Sequence, residues 1–328
     1  MFQRSNRMCA RSSNRVNRNR EVGEVIRKHN RRAAKAAFAV ALGVAIVLGG
    51  AAAAPAAVDR GQATPIIIGT KDFPEQYVLG QLYKQALEAK GFKVQYKENI
   101  GSTELIDKSL RSGKVTFYPE YTGIMLSVTF GKKTLPKTAL GTYTSAKQLY
   151  EKRGQTLLKQ TPFQDRDGIA VLRTTASKYG LKTVGDLKKV PNLTLAAFPT
   201  FETRWAPSLQ RLYGVKFDFT ALAGTSAYTL LNQKKVLAAG IFTTDPQLIS
   251  TKYVVLNEPR NMFGFQNVAP VLSKKLVSEN GSTFTSTVNK VSALLTVKAM
   301  IAMNKAVAID KKPAASVAKA FLKANRLS

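Results

Sequence analysis

The sequence predicts an α/β fold in which one architectural unit occurs twice. Short apolar runs alternate with stretches of helical periodicity between residues 66 and 118, and the same alternation returns between residues 169 and 256. With 45% hydrophobic and 21% charged residues the chain has the balance of a globular protein, and at ~100–200 residues per domain its 328 residues allow one large or two modest domains. Strand, helix, strand, helix, strand within about fifty residues is the sequence form of a parallel sheet covered by helices.

Taken in order, Ile66-Ile67-Ile68 before Gly69 reads as a buried strand. Residues 76–90 read as an amphipathic helix, with Tyr77, Leu79, Leu82, Tyr83, Ala86 and Leu87 at helical spacing and Gly91 as its stop. A second strand at 92–96 follows, then a helix capped by Ser102 and ended by Ser112-Gly113, then a third strand at 115–118. After a longer helical stretch come strands at 169–172, 193–196, 236–242, 254–256 and 268–272. Helices at 183–189, at 206–213 and from Thr225 or Ser226 to 235 lie among them. Residues 273–328 are helical in pattern, with apolar stripes through Leu294, Met300, Ile301, Ala318 and Leu322.

The charge is uneven. Lys and Arg number 50 against 20 Asp and Glu, a formal +30 that first suggests a nucleic-acid partner. Residues 1–35 hold eleven of the basic residues against Glu21 and Glu24, a net +9. An apolar run at 36–54 follows, then the small-residue sequence Ala54-Pro55-Ala56-Ala57. Basic region, apolar region and small-residue site in this order predict a signal peptide over residues 1–57 and an exported chain from 58 onward, periplasmic or on the extracytoplasmic face of the membrane. The run of 19 residues is also close to the ~20 that span a bilayer, so an uncleaved anchor is the alternative. Arg31-Arg32 with Lys35 is an incomplete twin-arginine motif. The remaining +21 is dispersed in blocks no longer than two, a solvated surface rather than a nucleic-acid footprint.

Cys9 and His29 both fall in the leader, so the exported chain has neither residue type. A disulfide framework is thereby excluded, zinc fingers, His-based metal sites and Ser-His or Cys-His pairs are disfavoured, and no Gly-x-Ser-x-Gly or phosphate loop is present. The expectation is a binding protein without metal or cofactor. An enzyme on the same fold and a basic surface-binding or nucleic-acid-binding protein are the competing classes.

Three polar or aromatic strings each follow a strand: residues 69–77 (Gly-Thr-Lys-Asp-Phe-Pro-Glu-Gln-Tyr), 99–104 (Asn-Ile-Gly-Ser-Thr-Glu) and 118–123 (Tyr-Pro-Glu-Tyr-Thr-Gly). In a parallel sheet these are the carboxyl ends, where ligands bind. Together with residues 165–171, 178–182, 201–204, 242–245 and 267–271, they resemble the substrate-binding proteins of glycine betaine, choline and carnitine (quaternary-amine osmoprotectant) ABC importers, over essentially the whole exported chain. That resemblance implies a two-lobed type II periplasmic-binding fold, each lobe a mainly parallel sheet flanked by helices. The lobes are expected at 58–167 with 268–328 and at 168–267. A monomer would capture a small quaternary-amine or cationic solute in an aromatic cage and deliver it to separate permease and ATPase subunits. By the same resemblance Lys71 and Arg204 match basic ligand contacts and Tyr121 a cage tyrosine, with Ser102 and Thr103 in the adjoining loop. Asp167, Phe242 and Gln266 stand where betaine-caging members carry tyrosines, and Ile124 where a threonine often occurs; Asp167 favours a ligand with a cationic head.

Overall fold

The computed structural model describes residues 64–222 and 226–328. The expected leader at 1–57 and the candidate cap Thr225 lie outside the described residues.

Two five-stranded sheets organise the chain. The first runs β2 (Val94–Lys97), β1 (Ile66–Gly69), β3 (Phe117–Tyr121), β10 (Val268–Ser273), β4 (Gln155–Leu157). The second runs β7 (Asp218–Ala221), β6 (Thr194–Ala197), β8 (Ala238–Phe242), β5 (Asp167–Leu172), β9 (Tyr253–Val255). Four strands of each sheet share one direction; the reversed strands are β10 and β5. Each reversed strand is the first one entered after the chain crosses between sheets. The expected pair of mainly parallel α/β lobes is therefore present.

Strand alternation explains the burial. Ile66 and Ile68 enter one core with Val78, Leu79, Leu82 and Tyr83 of helix Pro74–Glu88, while Ile67 faces Ile106, Leu110 and Val115 on the other side. With both faces covered, β1 is apolar throughout, the pattern of a strand inside a parallel sheet. In the second sheet Ile169, Val171 and Leu195 face one core, and Ala170, Ala196 and Ala239 the other.

Several boundaries differ from the sequence expectation for local reasons. The first helix begins at Pro74 rather than Gln76, since proline suits the first helical position and Glu75 the positive N-terminal turn. The third strand continues past Tyr118 to Tyr121 although Pro119 argues against a central strand. Pro119 stands opposite Pro270, one register step from Glu120↔Ala269. Thr122 N donates to Asn267 O (2.9 Å) and Ser273 N to Thr116 O (3.2 Å), so the alternation of antiparallel pairs puts the two prolines at a pair that needs no N–H. Residues 184–189 form a 3₁₀ helix opened by a Thr183–Asp186 capping box. The short strands β4 and β7 are additions at the sheet edges.

The C-terminal helices Lys274–Leu294, Val297–Ala308 and Ala314–Ala324 pack on the first lobe, where Met300, Met303, Val317 and Leu322 join the core of helix Pro74–Glu88. Among the described residues no single helix is long and apolar enough to cross a membrane. Residues 158–166 and 256–267 carry the chain between the sheets and meet at an antiparallel bridge, Gln164↔Asn267. There Asn267 Nδ2 donates to Thr161 O (2.9 Å) and Phe163 O (3.3 Å).

Gly240 in β8 permits the close approach of β6: a Cβ there would lie 2.6 Å from Ala197 Cβ and 3.0 Å from the Phe201 ring. Gly240→Ala should therefore destabilise the protein by about 1–3 kcal/mol through overpacking. Denaturant unfolding checks this; an unchanged midpoint would mean that the sheet spreads without cost.

Candidate functional site

The ends of β1, β3 and β8 and the start of β5 open onto a cleft of about 550 Å³ between the two lobes. That size falls within the range of small-molecule sites, roughly 300–1,000 Å³. Lys71, Tyr121, Asp167, Arg204, Phe242 and Gln266, all expected from the sequence, line it. Ser102 and Thr103 are not among its lining residues. The exposed Ser102 hydroxyl donates to Glu104 (2.6 Å), and buried Thr103 accepts from Lys71 Nζ (3.3 Å), supporting the lysine from outside the cleft.

Lys71 leaves the end of β1 and is almost fully buried. Its ammonium pairs with Glu120 of β3 at 2.6 Å, so its charge is matched inside the protein. The same ammonium lies 4.6 Å from the Tyr121 ring centroid and 5.6 Å from that of Phe73. Phe73 and Tyr121 lie nearly parallel, 6.2 Å apart at 23°, and present aromatic faces from the first lobe. Phe242, at the end of β8, supplies an exposed ring from the second and leans on Phe198 at 6.2 Å.

Gln266 is a brace. Its Oε1 accepts from Gly123 N and Ile124 N at 3.1 Å each, holding the turn after Tyr121 against the returning crossover. Arg204, on helix Pro199–Tyr213, lies over the Trp205 ring at 4.7 Å. Trp205 lines a side hollow that shares Asp167, Arg204 and Phe242 with the main cleft. Burial raises the pKa of Asp167 above the ordinary carboxylate value, with Arg204 and Trp205 acting in the opposite direction.

The sequence reading did not single out Glu75, Asp165, Asp245 or Asn304, which also line the cleft. Glu75 is buried yet makes two strong contacts: Tyr121 OH donates to Oε1 (2.8 Å) and Asn304 Nδ2 to Oε2 (2.7 Å). Asn304 Nδ2 also reaches Thr244 O of the second lobe at 3.0 Å. Desolvation raises the pKa of Glu75 despite these bonds, and raises that of Asp165 well above the ordinary range, with the neighbouring Glu75 charge adding to it. Asp245 Oδ2 accepts from Phe242 N (3.0 Å) and Tyr228 OH (2.9 Å), and burial raises its pKa as well. Glu75, Asp165 and Asp245 each fall within strings quoted above, where a signal existed: acids beside strand ends. Asn304 had none, since it sits within an otherwise packing helix.

The arrangement can enclose a small cation against aromatic faces and carboxylates. Among the described residues no cluster of three or more His, Cys, Asp or Glu could hold a metal ion.

Comparison with known proteins agrees in character. A profile of the substrate-binding domain of ABC-type glycine betaine transport systems matches residues 64–324. The chain is 30% identical over 281 residues to the glycine-betaine-binding protein of Pseudomonas aeruginosa, spanning 81% of this chain and 89% of that one. Apo YehZ from Escherichia coli superposes with a TM-score of 0.72 at 26% identity, over 81% of this chain and 100% of that chain. A structure of a glycine betaine/carnitine/choline ABC transporter superposes with a TM-score of 0.75 at 22% identity, over 80% and 99% of the two chains.

The raised carboxyl groups set a sign for stability against pH. Between the unfolded carboxylate value, about 4, and the higher folded values, the folded state holds more protons than the unfolded one, so stability falls as pH rises through that window. The ligand-free protein should therefore melt at progressively lower temperature as pH is raised above about 5, and Glu75→Gln should flatten the slope. Parallel wild-type and Glu75→Gln profiles by scanning calorimetry would show that Glu75 takes no part in the titration.

Proposed function

Because the chain belongs to the substrate-binding domains of ABC-type glycine betaine transport systems, we propose that it is the extracytoplasmic solute receptor of an importer, capturing a small quaternary-amine osmolyte of the glycine betaine and choline class between its lobes. The observation that carries the ligand reading is the pairing of aromatic faces with acids in one cleft: Phe73 and Tyr121 from the first lobe, Phe242 from the second, and Glu75 and Asp167 beside them. A quaternary ammonium has no N–H to donate. Ring quadrupoles and nearby carboxylates are what remain to hold it, at about 0.5–2 kcal/mol per well-placed ring. A ligand carboxylate, where there is one, would meet Arg204, since Lys71 is already paired with Glu120.

Binding couples to closure. The solute engages the first-lobe rings, and rotation about the paired crossovers near Gln164 and Asn267 brings Asp167, Arg204 and Phe242 onto it and excludes water. The closed form is the signal that the permease reads. The lobes are assigned to 58–167 with 268–328 and to 168–267; residues 1–57 direct export, and the receptor works as a monomer with separate permease and ATPase subunits. The family is one of substrate-binding transport proteins, and no covalent step is assigned to this cleft.

Phe242 tests the reading without touching the core, because its ring is exposed. Phe242→Ala should weaken binding of choline or glycine betaine about 2–30-fold while leaving the unfolding midpoint of the ligand-free protein unchanged. Titration calorimetry with unchanged affinity would remove the second lobe's ring from the cage.

A further inference from the structure

Beside the amine cleft lies a second space of about 470 Å³ that capture of a compact osmolyte leaves unused. Ala197, Phe201 and Ile241, all buried, form its floor, and Phe198 and Trp205 stand at its walls. It joins the cleft at Asp167, Arg204 and Phe242, which line both spaces. Of the phenylalanines among the described residues, Phe198 and Phe242 are the exposed ones, at 56% and 40%, and both line this hollow. Their rings lie 6.2 Å apart at 38°. Closure on a small solute accounts for Phe242, which lines the cleft, but not for Phe198 or Trp205, which do not. Size points the same way. Each space alone falls in the range that encloses a drug-sized ligand, roughly 300–1,000 Å³, and choline or glycine betaine is far smaller than that.

We propose that the hollow is an extension subsite for a flat aromatic arm carried by the quaternary amine. The head lies against Phe73 and Tyr121, a polar linkage passes the mouth beside Arg204, and the arm enters among Phe198, Trp205 and Phe242. This rests on the reading of the cleft as a quaternary-amine site and narrows its substrate class. Aromatic pairs favour offset or edge-to-face contact with centroids about 4.5–7 Å apart, and the mutually tilted Phe198 and Phe242 rings present such faces to an inserted ring. The exposed Arg204 guanidinium is a donor at the mouth for an ester or carboxylate oxygen of the linkage.

Titration calorimetry on the full chain with choline, benzoylcholine and methyl benzoate tests this. Benzoylcholine carries head and arm, choline the head without the arm, and methyl benzoate the arm without the head. Benzoylcholine should bind at least about ten-fold more tightly than choline, and methyl benzoate should not bind measurably. Thr200 is exposed and lines the hollow but not the cleft, so Thr200→Phe should fill the space and reduce that ratio to about two or less with the choline affinity unchanged. Phe198→Ala, which removes a wall, should narrow the ratio as well. A wild-type ratio near one, or choline binding the tighter, overturns the subsite and leaves the amine site standing. A ratio that survives both substitutions overturns it too, since the arm then lies elsewhere. Methyl benzoate binding as tightly as benzoylcholine makes the hollow an independent apolar site and overturns its role as an extension. Absence of binding by both choline and benzoylcholine overturns the amine reading itself.

Discussion

One buried carboxylate ties the site together. Glu75 receives the Tyr121 hydroxyl from the end of β3 and the Asn304 amide from helix Val297–Ala308, and through that amide the contact continues to Thr244 of the opposite lobe. Three distant stretches of sequence are thus tied, two directly and one through Asn304, to a single side chain at the N-terminus of helix Pro74–Glu88. A carboxylate in so dry a setting is costly unless its oxygens are served, and both of them are. The cleft's geometry follows: the Tyr121 ring is held beside Phe73, and helix Val297–Ala308, though packed in the first lobe, reaches the second.

Charge matching decides which groups are left for a ligand. The chain as a whole is strongly basic, yet the inner cleft is not. Lys71, the lysine nearest the rings, is matched by Glu120, and the remaining space is lined by Glu75, Asp165, Asp167 and Asp245 against Arg166 and Arg204. The basic excess lies outside the cleft, nine units of it in residues 1–35 and the rest dispersed along the sequence. A net charge of +30 and a cleft with more acidic than basic side chains are compatible because most of the basic residues lie outside the cleft.

Much of the fold was legible because buried strands announce themselves. Ile66-Ile67-Ile68 and residues 169–172 are apolar on both faces, and the intervening helices have clear stripes. What escaped were elements whose sequences carry no such period: β4 and β7 are three and four residues long and lie at sheet edges, and β7 is largely exposed. Pro119 hid the end of β3, since its tolerance depends on facing Pro270, a pairing that becomes visible only once two segments 150 residues apart are brought together. The cleft divides in the same way. Tyr121, Phe242 and Asp167 stand at strand ends, where position alone suggests a ligand, whereas Asn304 acquires its role only from the meeting of two lobes. Ser102 and Thr103 share a promising loop, but one faces solvent and the other supports a lysine from behind.

Trp205 carries a practical consequence. It is the only tryptophan in the chain, it lies beneath Arg204 and against Phe263 at 5.1 Å, and it shares its hollow with Asp167 and Phe242. All indole emission therefore originates at the second-lobe rim of the cleft. The protein carries its own fluorophore, so intrinsic fluorescence can follow the rate at which this rim responds to a solute without any attached dye.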